Sequence, residues 1–161
     1  MRVAGIVEDS IVDGPGLRFV VFTQGCNLRC EGCHNPDTWD LSGGADIPVD
    51  ELIAQMRRNP LTDGLTLSGG EPFLQAAECV QLASAARELG LNVWTFTGYT
   101  FEQLLHEPEC RELLELTDVL VDGPFVISER SLSLKWRGSR NQRVIDVVGS
   151  LRAGAVVERG V

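Results

Sequence analysis

The chain has 161 residues, and its 14 lysines and arginines against 23 aspartates and glutamates give a formal net charge of −9 at pH 7. Hydrophobic residues make up 43% of the chain, which is enough to form a core and excludes an intrinsically disordered or fibrous chain. The length predicts a single domain over residues 1–161, and the acidic balance argues against nucleic acid as a partner, because phosphate groups repel negative charge.

Strand and helix patterns alternate along most of the chain. The predicted strands are apolar or β-branched runs bounded by turn residues, and they cover 17–23, 65–67, 91–97 and 118–122. The predicted helices carry apolar residues at helical spacing. The first begins at Pro48 and stops at Asn59, the second covers 73–89, and the third covers 100–116 with an interruption at Pro108.

Strands that alternate with helices predict right-handed crossovers and a mainly parallel sheet. The sequence supplies about four or five such units, too few for the eight of a closed (β/α)8 barrel. We therefore expect an α/β fold built as an open or partial (βα) barrel. The alternation ends at Pro124, and residues 125–161 are predicted to form an irregular, basic C-terminal extension with one more strand-like run at 144–148.

The composition also bears on where the protein works. No apolar run approaches the roughly 20 residues that span a bilayer. The first residues include Glu8 and Asp9 and lack the apolar core of a signal peptide. We therefore expect a cytoplasmic protein with no membrane partner.

Three of the five cysteines lie within eight positions, which is atypical of a secreted disulfide framework and indicates ligands. Cys26, Cys30 and Cys33 follow the first predicted strand, at the edge where α/β folds place their chemistry. The connecting segments span at most roughly 14 Å, so the three sulfurs can surround one centre. Thiolates are the usual ligands of iron–sulfur centres, and we interpret the motif as a cluster site.

The other two cysteines decide what kind of cluster this is. Cys79 and Cys110 lie in predicted helices, and we interpret both as structural residues. One iron would then lack a protein thiolate and would be open to a substrate. A non-catalytic electron carrier would need a fourth thiolate, and a zinc-binding module could use His34 as its fourth ligand; both alternatives stay open at this point.

The motifs resemble a known superfamily. The sequence CNLRCEGC at 26–33, with GGEP at 69–72, resembles the radical S-adenosylmethionine (SAM) enzymes. The string VDGPGLR at 12–18 resembles the activating enzymes of glycyl-radical enzymes. Within that group the ending, with DGPF at 122–125, WRGS at 136–139 and NQRVID at 141–146, resembles the activators of anaerobic (class III) ribonucleotide reductase, which are related to the pyruvate formate-lyase activating enzymes.

This resemblance implies an oxidoreductase with two cofactors, a [4Fe–4S] cluster held by Cys26, Cys30 and Cys33, and SAM bound at the open iron. Reductive cleavage of SAM would give a 5′-deoxyadenosyl radical, which abstracts a hydrogen from a glycine of the partner enzyme without a catalytic side chain. The implied partner is class III ribonucleotide reductase, with a formate-lyase type of glycyl-radical enzyme as the alternative. A flavodoxin- or ferredoxin-like donor would supply the low-potential electron.

The resemblance also implies the residues that hold SAM. Gly69 and Gly70 would let the backbone approach the cofactor, and Glu71 would suit its ammonium group; an ordinary tight turn is the alternative. Thr97 ends the third predicted strand, where related enzymes contact the ribose or methionyl part. His34 and Asn35 stand where the family contacts adenine.

Two further features have more than one interpretation. Asp122 either faces the site or belongs to the turn that precedes Gly123 and Pro124. The basic segment 130–143 carries five of the 14 lysines and arginines, and it is either a solvated loop or a docking strip for the partner enzyme.

Overall fold

The computed structural model describes residues 1–33 and 35–160. Its centre is one open sheet of seven strands in the order β3-β1-β2-β4-β5-β6-β7. The strands are β1 (Arg2–Ser10), β2 (Arg18–Thr23), β3 (Ala45–Asp46), β4 (Gly64–Gly69), β5 (Asn92–Phe96), β6 (Val119–Asp122) and β7 (Arg143–Asp146). The four central strands β2, β4, β5 and β6 pair in parallel. At one edge β1 pairs antiparallel with β2 and β3 with β1, and at the other edge β7 pairs antiparallel with β6.

In the described residues five α-helices accompany the sheet: α1 (Val49–Arg58), α2 (Ala76–Glu88), α3 (Phe101–Leu105), α4 (Pro108–Leu116) and α5 (Val147–Ala153). Within the described residues no helix is long and apolar enough to cross a membrane. Pro108 begins α4, as its missing N–H favours, and so separates α3 from α4 where the sequence predicts the interruption.

The predicted mixed α/β architecture is confirmed for its central part, where strands and helices alternate. The sheet is not closed, and the partial barrel stays a prediction. The prediction of a strand over 144–148 is wrong for its last two residues, because β7 ends at Asp146 and α5 begins at Val147. The Asp146 carboxylate accepts a hydrogen bond from the Gly149 N–H at 3.0 Å, which caps the helix.

The sheet has two apolar faces because successive side chains of a strand alternate between them. Leu65, Leu67 and Val93 belong to the large core beneath the helices. Trp94, Val121 and Val144 lie on the second face, in a smaller cluster that Trp136 covers from the segment between β6 and β7.

A fully buried arginine anchors the start of this second face. Arg18 donates hydrogen bonds to the Thr66 hydroxyl at 2.7 Å and to the carbonyls of Pro15 and Leu65 at 2.9 Å. Its guanidinium lies 5.7 Å from the centre of the Trp94 ring, and burial lowers its pKa to about 10. The arginine of the VDGPGLR string thus fixes the turn before β2 to the sheet.

A second buried charged residue holds the last strand, β7, to the sheet. Asp122 is 1% exposed and accepts hydrogen bonds from the Phe101 N–H at 2.8 Å and from Arg143 Nη2 at 2.6 Å. Arg143 also pairs with Glu102, whose side chain is 55% exposed. These two carboxylates raise the pKa of Arg143. Asp122 therefore joins β6, β7 and the start of α3, a role that differs from both interpretations of the sequence, since its side chain neither lines the cavity nor bonds within the turn before Gly123 and Pro124.

We expect Asp122→Asn to lower the free energy of unfolding by about 2–3 kcal/mol, because it leaves a partly buried guanidinium without its buried counter-charge. Glu102→Gln is the matched control, since it removes the exposed partner of the same arginine and should cost less than about 1 kcal/mol. Urea unfolding of both variants measures the difference. Equal losses would show that the burial of Asp122 contributes nothing.

Candidate functional site

One cavity of about 430 Å³ opens at the carboxyl ends of the central parallel strands. Gly69 of β4, Phe96 of β5 and Val121 of β6 form its base. The carboxyl ends of parallel strands share one edge of a sheet, so residues that are far apart in the chain meet here. The cavity also brings together most of the residues that the sequence predicts for the cluster and SAM site.

The three clustered cysteines all line this cavity and are all partly exposed. Burial raises the pKa of the Cys26 thiol. In the part of the chain that the structure describes, no three His, Cys, Asp or Glu side chains are close enough to hold a single metal ion. A [4Fe–4S] cluster makes a different demand, because each of three thiolates binds a different iron. Three thiols that line the same cavity suit such a cluster.

Backbone and side-chain contacts hold the cysteine loop over the cavity. The N–H groups of Gly25 and Cys26 donate to the carbonyls of Thr38 and Trp39, at 2.6 and 3.2 Å, so the loop returns to its own beginning. The Tyr99 hydroxyl donates to Asn27 Oδ1 at 3.0 Å and ties the loop to the segment after β5.

The two glycines of the GGEP sequence lie against the start of the cysteine loop. The Gly70 N–H donates to the Thr23 carbonyl at 2.9 Å, and the Glu71 N–H donates to the Gly25 carbonyl at 2.8 Å. A Cβ atom at Gly69 would strike the backbone of Thr23, and one at Gly70 would strike the carbonyl of Gly25. The structure therefore gives these glycines a packing reason in addition to the predicted approach of a ligand.

Glu71 is 1% exposed, and its carboxylate already has three donors in the protein. They are the Thr97 hydroxyl at 2.8 Å, the Gly98 N–H at 2.8 Å and the Phe73 N–H at 3.2 Å. Burial raises the pKa of Glu71 to about 7, although these hydrogen bonds oppose the shift. The side chain lines the cavity and at the same time joins the end of β4 to the end of β5.

The remaining predicted cofactor residues fall into two groups. Thr97 and Asn35 line the cavity. The Thr97 hydroxyl donates its hydrogen to Glu71, so it can bind a ligand only by accepting a hydrogen bond. The Asn35 N–H lies 3.4 Å from Cys33 Sγ. His34 lies outside the described residues, and its predicted contact stays a prediction.

Cys79 and Cys110 do not line the cavity. Cys79 is fully buried in α2 and its thiol donates to the Pro72 carbonyl at 3.6 Å, and burial raises its pKa. Cys110 is partly buried in α4 and packs against the large core. Their assignment as structural residues agrees with these positions, and neither thiol reaches the cavity as a fourth ligand.

One wall of the cavity comes from the segment between β6 and β7, which the sequence predicts to be part of an irregular extension. Phe125, Trp136, Arg137 and Gln142 of this segment line the cavity. Asp13, from the turn before β2, lines it as well. Only the VDGPGLR, DGPF, WRGS and NQRVID strings pointed to these positions, because an irregular segment has no periodicity that reveals which side chains face a site.

Comparison with known proteins supports the interpretation of the cysteine loop as an iron–sulfur cluster site. The family described as "4Fe-4S single cluster domain" matches residues 12–145. The anaerobic ribonucleoside-triphosphate reductase-activating protein of Vibrio cholerae is 37% identical over 140 residues, which cover 82% of this chain and 89% of that protein. The protein of the same name from Enterobacteria phage T4 is 38% identical over 142 residues, covering 83% of this chain and 86% of the phage protein.

A pyruvate formate-lyase-activating enzyme from Clostridium pasteurianum is also similar, with 39% identity over 146 residues. The match covers 86% of this chain but only 59% of that enzyme. Since the family match and these alignments each extend over most of its residues, the chain belongs to the family of activating proteins that carry a single [4Fe–4S] cluster domain.

Proposed function

We propose that the protein activates a glycyl-radical enzyme, and that this enzyme is an anaerobic, class III ribonucleotide reductase. The observation that carries the proposal is the shared cavity, where three cysteines meet the GGEP turn and Thr97 at the ends of parallel strands. The cofactors are a [4Fe–4S] cluster and SAM. When bound and reduced, they supply a 5′-deoxyadenosyl radical, the species that removes a hydrogen from a glycine.

We propose roles for six residues of the cavity. Cys26, Cys30 and Cys33 hold the cluster and leave one iron without a protein ligand. The turn at Gly69 and Gly70 presents backbone to the ammonium group of SAM, and Glu71 fixes that turn to the next strand. The proposed hydrogen abstraction needs no side chain that acts as an acid or a base. The protein therefore contributes by binding and orienting the cofactors and by excluding water.

The two alternatives make different demands on the chain. An electron carrier needs a fourth thiolate, and the positions of Cys79 and Cys110 argue against it. An activator of a formate-lyase type of enzyme shares the cysteine and GGEP motifs. We favour the reductase because the segment that resembles the reductase branch, with Trp136 and Arg137, forms a wall of the cavity.

The remaining partner is an electron donor. We propose a flavodoxin- or ferredoxin-like protein in the cytoplasm, since cleavage of SAM consumes a low-potential electron. The partial exposure of all three cysteines supports this, because the cluster would lie near the surface and within reach of a docked donor.

The partial barrel, closed on one side by the partner enzyme, is the architecture that we propose for the complex.

Formation of 5′-deoxyadenosine tests the proposed chemistry. After anaerobic reconstitution with iron and sulfide, the reduced wild-type protein should cleave SAM, and Cys30→Ala should release only background amounts because one cluster ligand is lost. Chromatography of the nucleoside products measures this.

Cys110→Ala is the matched control for this experiment. It removes a cysteine that lies outside the cavity, so it should keep both the cluster absorbance and the wild-type rate. A wild-type cluster that forms without releasing deoxyadenosine, or a cluster that Cys110→Ala destroys, would favour the electron carrier.

Glu71 should make stability depend on pH. Its pKa is raised on folding from 4.5 to about 7, so its contribution is fully present below pH 4.5 and is lost as the pH rises through 7. Relative to Glu71→Gln, the wild-type free energy of unfolding should therefore increase by about 2 kcal/mol between pH 8 and pH 5. Urea unfolding at the two pH values measures the difference. A constant difference would mean that Glu71 keeps its ordinary pKa.

A further inference from the structure

The cavity wall between β6 and β7 contains a cation whose hydrogen-bonding capacity the protein leaves partly unused. Arg137 Nη1 donates to the Gln142 carbonyl at 2.6 Å and, more weakly, to the Arg140 carbonyl at 3.4 Å. Its Nε is buried and has no partner among the residues that the structure describes. A buried donor without a partner is costly, and Arg137 lines the cavity, so the unused hydrogen-bonding capacity of its guanidinium points to a ligand.

The charge of Arg137 is also uncompensated. The other arginines with internal roles are satisfied: Arg143 has two carboxylates, and Arg18 has two carbonyls and a hydroxyl. In the described part of the chain no carboxylate lies within ion-pair distance of Arg137. It is also the only lysine or arginine among the described residues that line the cavity.

The backbone around Arg137 is held in place at some cost. Trp136 has φ of +68°, a conformation that is unfavourable for a residue with a side chain. Its ring packs edge-on against Trp94, with the ring centres 5.6 Å apart. Gln142 Oε1 accepts hydrogen bonds from the Gly138 and Ser139 N–H groups, at 2.9 and 3.2 Å. The arginine thus projects from a fixed support, which favours a specific ligand over loose attraction of anions.

We propose that Arg137 binds the carboxylate of the methionyl group of SAM. This inference rests on the proposed function and adds a residue to the SAM site. SAM brings one carboxylate, one ammonium group and one sulfonium into the cavity, and a planar guanidinium with free N–H groups is the protein's best partner for a carboxylate. The turn at Gly69 and Gly70 lies at the end of β4, whereas Arg137 lies between β6 and β7, so the ammonium group and the carboxylate are recognised by separate elements.

Binding without turnover tests the proposal. The cluster-containing protein is left unreduced so that SAM stays intact, and equilibrium dialysis gives Kd for SAM and for decarboxylated SAM. Arg137→Gln should weaken the binding of SAM by about 10- to 100-fold, the range of a hydrogen bond to a charged group. It should leave the Kd for decarboxylated SAM at its wild-type value, because that ligand has no carboxylate to lose.

Two further variants keep the test interpretable. Arg140→Gln removes an exposed arginine of the same segment that does not line the cavity, and it should change neither Kd. Arg137→Lys keeps the positive charge and should recover part of the loss, for SAM only. Partial unfolding of a variant lowers the number of binding sites or raises the apparent Kd for both ligands by the same factor, so it cannot imitate a loss that is confined to SAM.

Other outcomes overturn the proposal. Equal weakening of both ligands by Arg137→Gln would give the arginine a general structural role. Unchanged binding of both would assign it to another anion, such as a carboxylate of the partner enzyme's peptide. In either case wild-type protein still binds SAM and the proposed function stands, whereas wild-type protein that does not bind SAM would remove both.

Discussion

The buried carboxylate of Glu71 is the interaction on which the site depends. It accepts hydrogen bonds from Thr97 and Gly98 at the end of β5 while its own backbone N–H donates to Gly25 at the start of the cysteine loop. One residue therefore connects three pieces of chain that are far apart in sequence. Burying the Glu71 carboxylate costs free energy. We infer that this cost is tolerated because the residue fixes the position of the cysteine loop relative to the two strands.

Positive charge is distributed in this acidic protein according to what each cation contacts. Arg18 is buried and holds a turn, Arg143 links β7 to β6 and α3, and Arg137 faces the cavity. The exposed Arg130, Lys135 and Arg140 are the cations of the basic segment that stay available to an acidic partner surface. Docking by this segment would therefore use three of its five cations and be sensitive to salt.

The sequence predicted those features that a local pattern encodes. Alternating apolar runs predict the central strands and helices, and the cysteine spacing with the GGEP string predicts which residues share the cavity. The role of Glu71 as a connector was missed, since its partners Thr97 and Gly98 come close only through the strand order. Arg137 was missed as a cavity residue for a similar reason, because a positive φ at Trp136 and a glutamine side chain orient it, and neither leaves a periodic signal.

In the proposed reaction the radical made in this cavity takes its hydrogen directly from a glycine of the partner enzyme. The most direct measurement uses class III reductase produced with α-deuterated glycine, incubated anaerobically with the reduced, cluster-containing protein and SAM. Mass spectrometry of the nucleoside product should then find 5′-deoxyadenosine with one added deuterium, together with a glycyl radical in the electron paramagnetic resonance spectrum of the reductase. Deoxyadenosine formed in the same amount without deuterium would contradict the account.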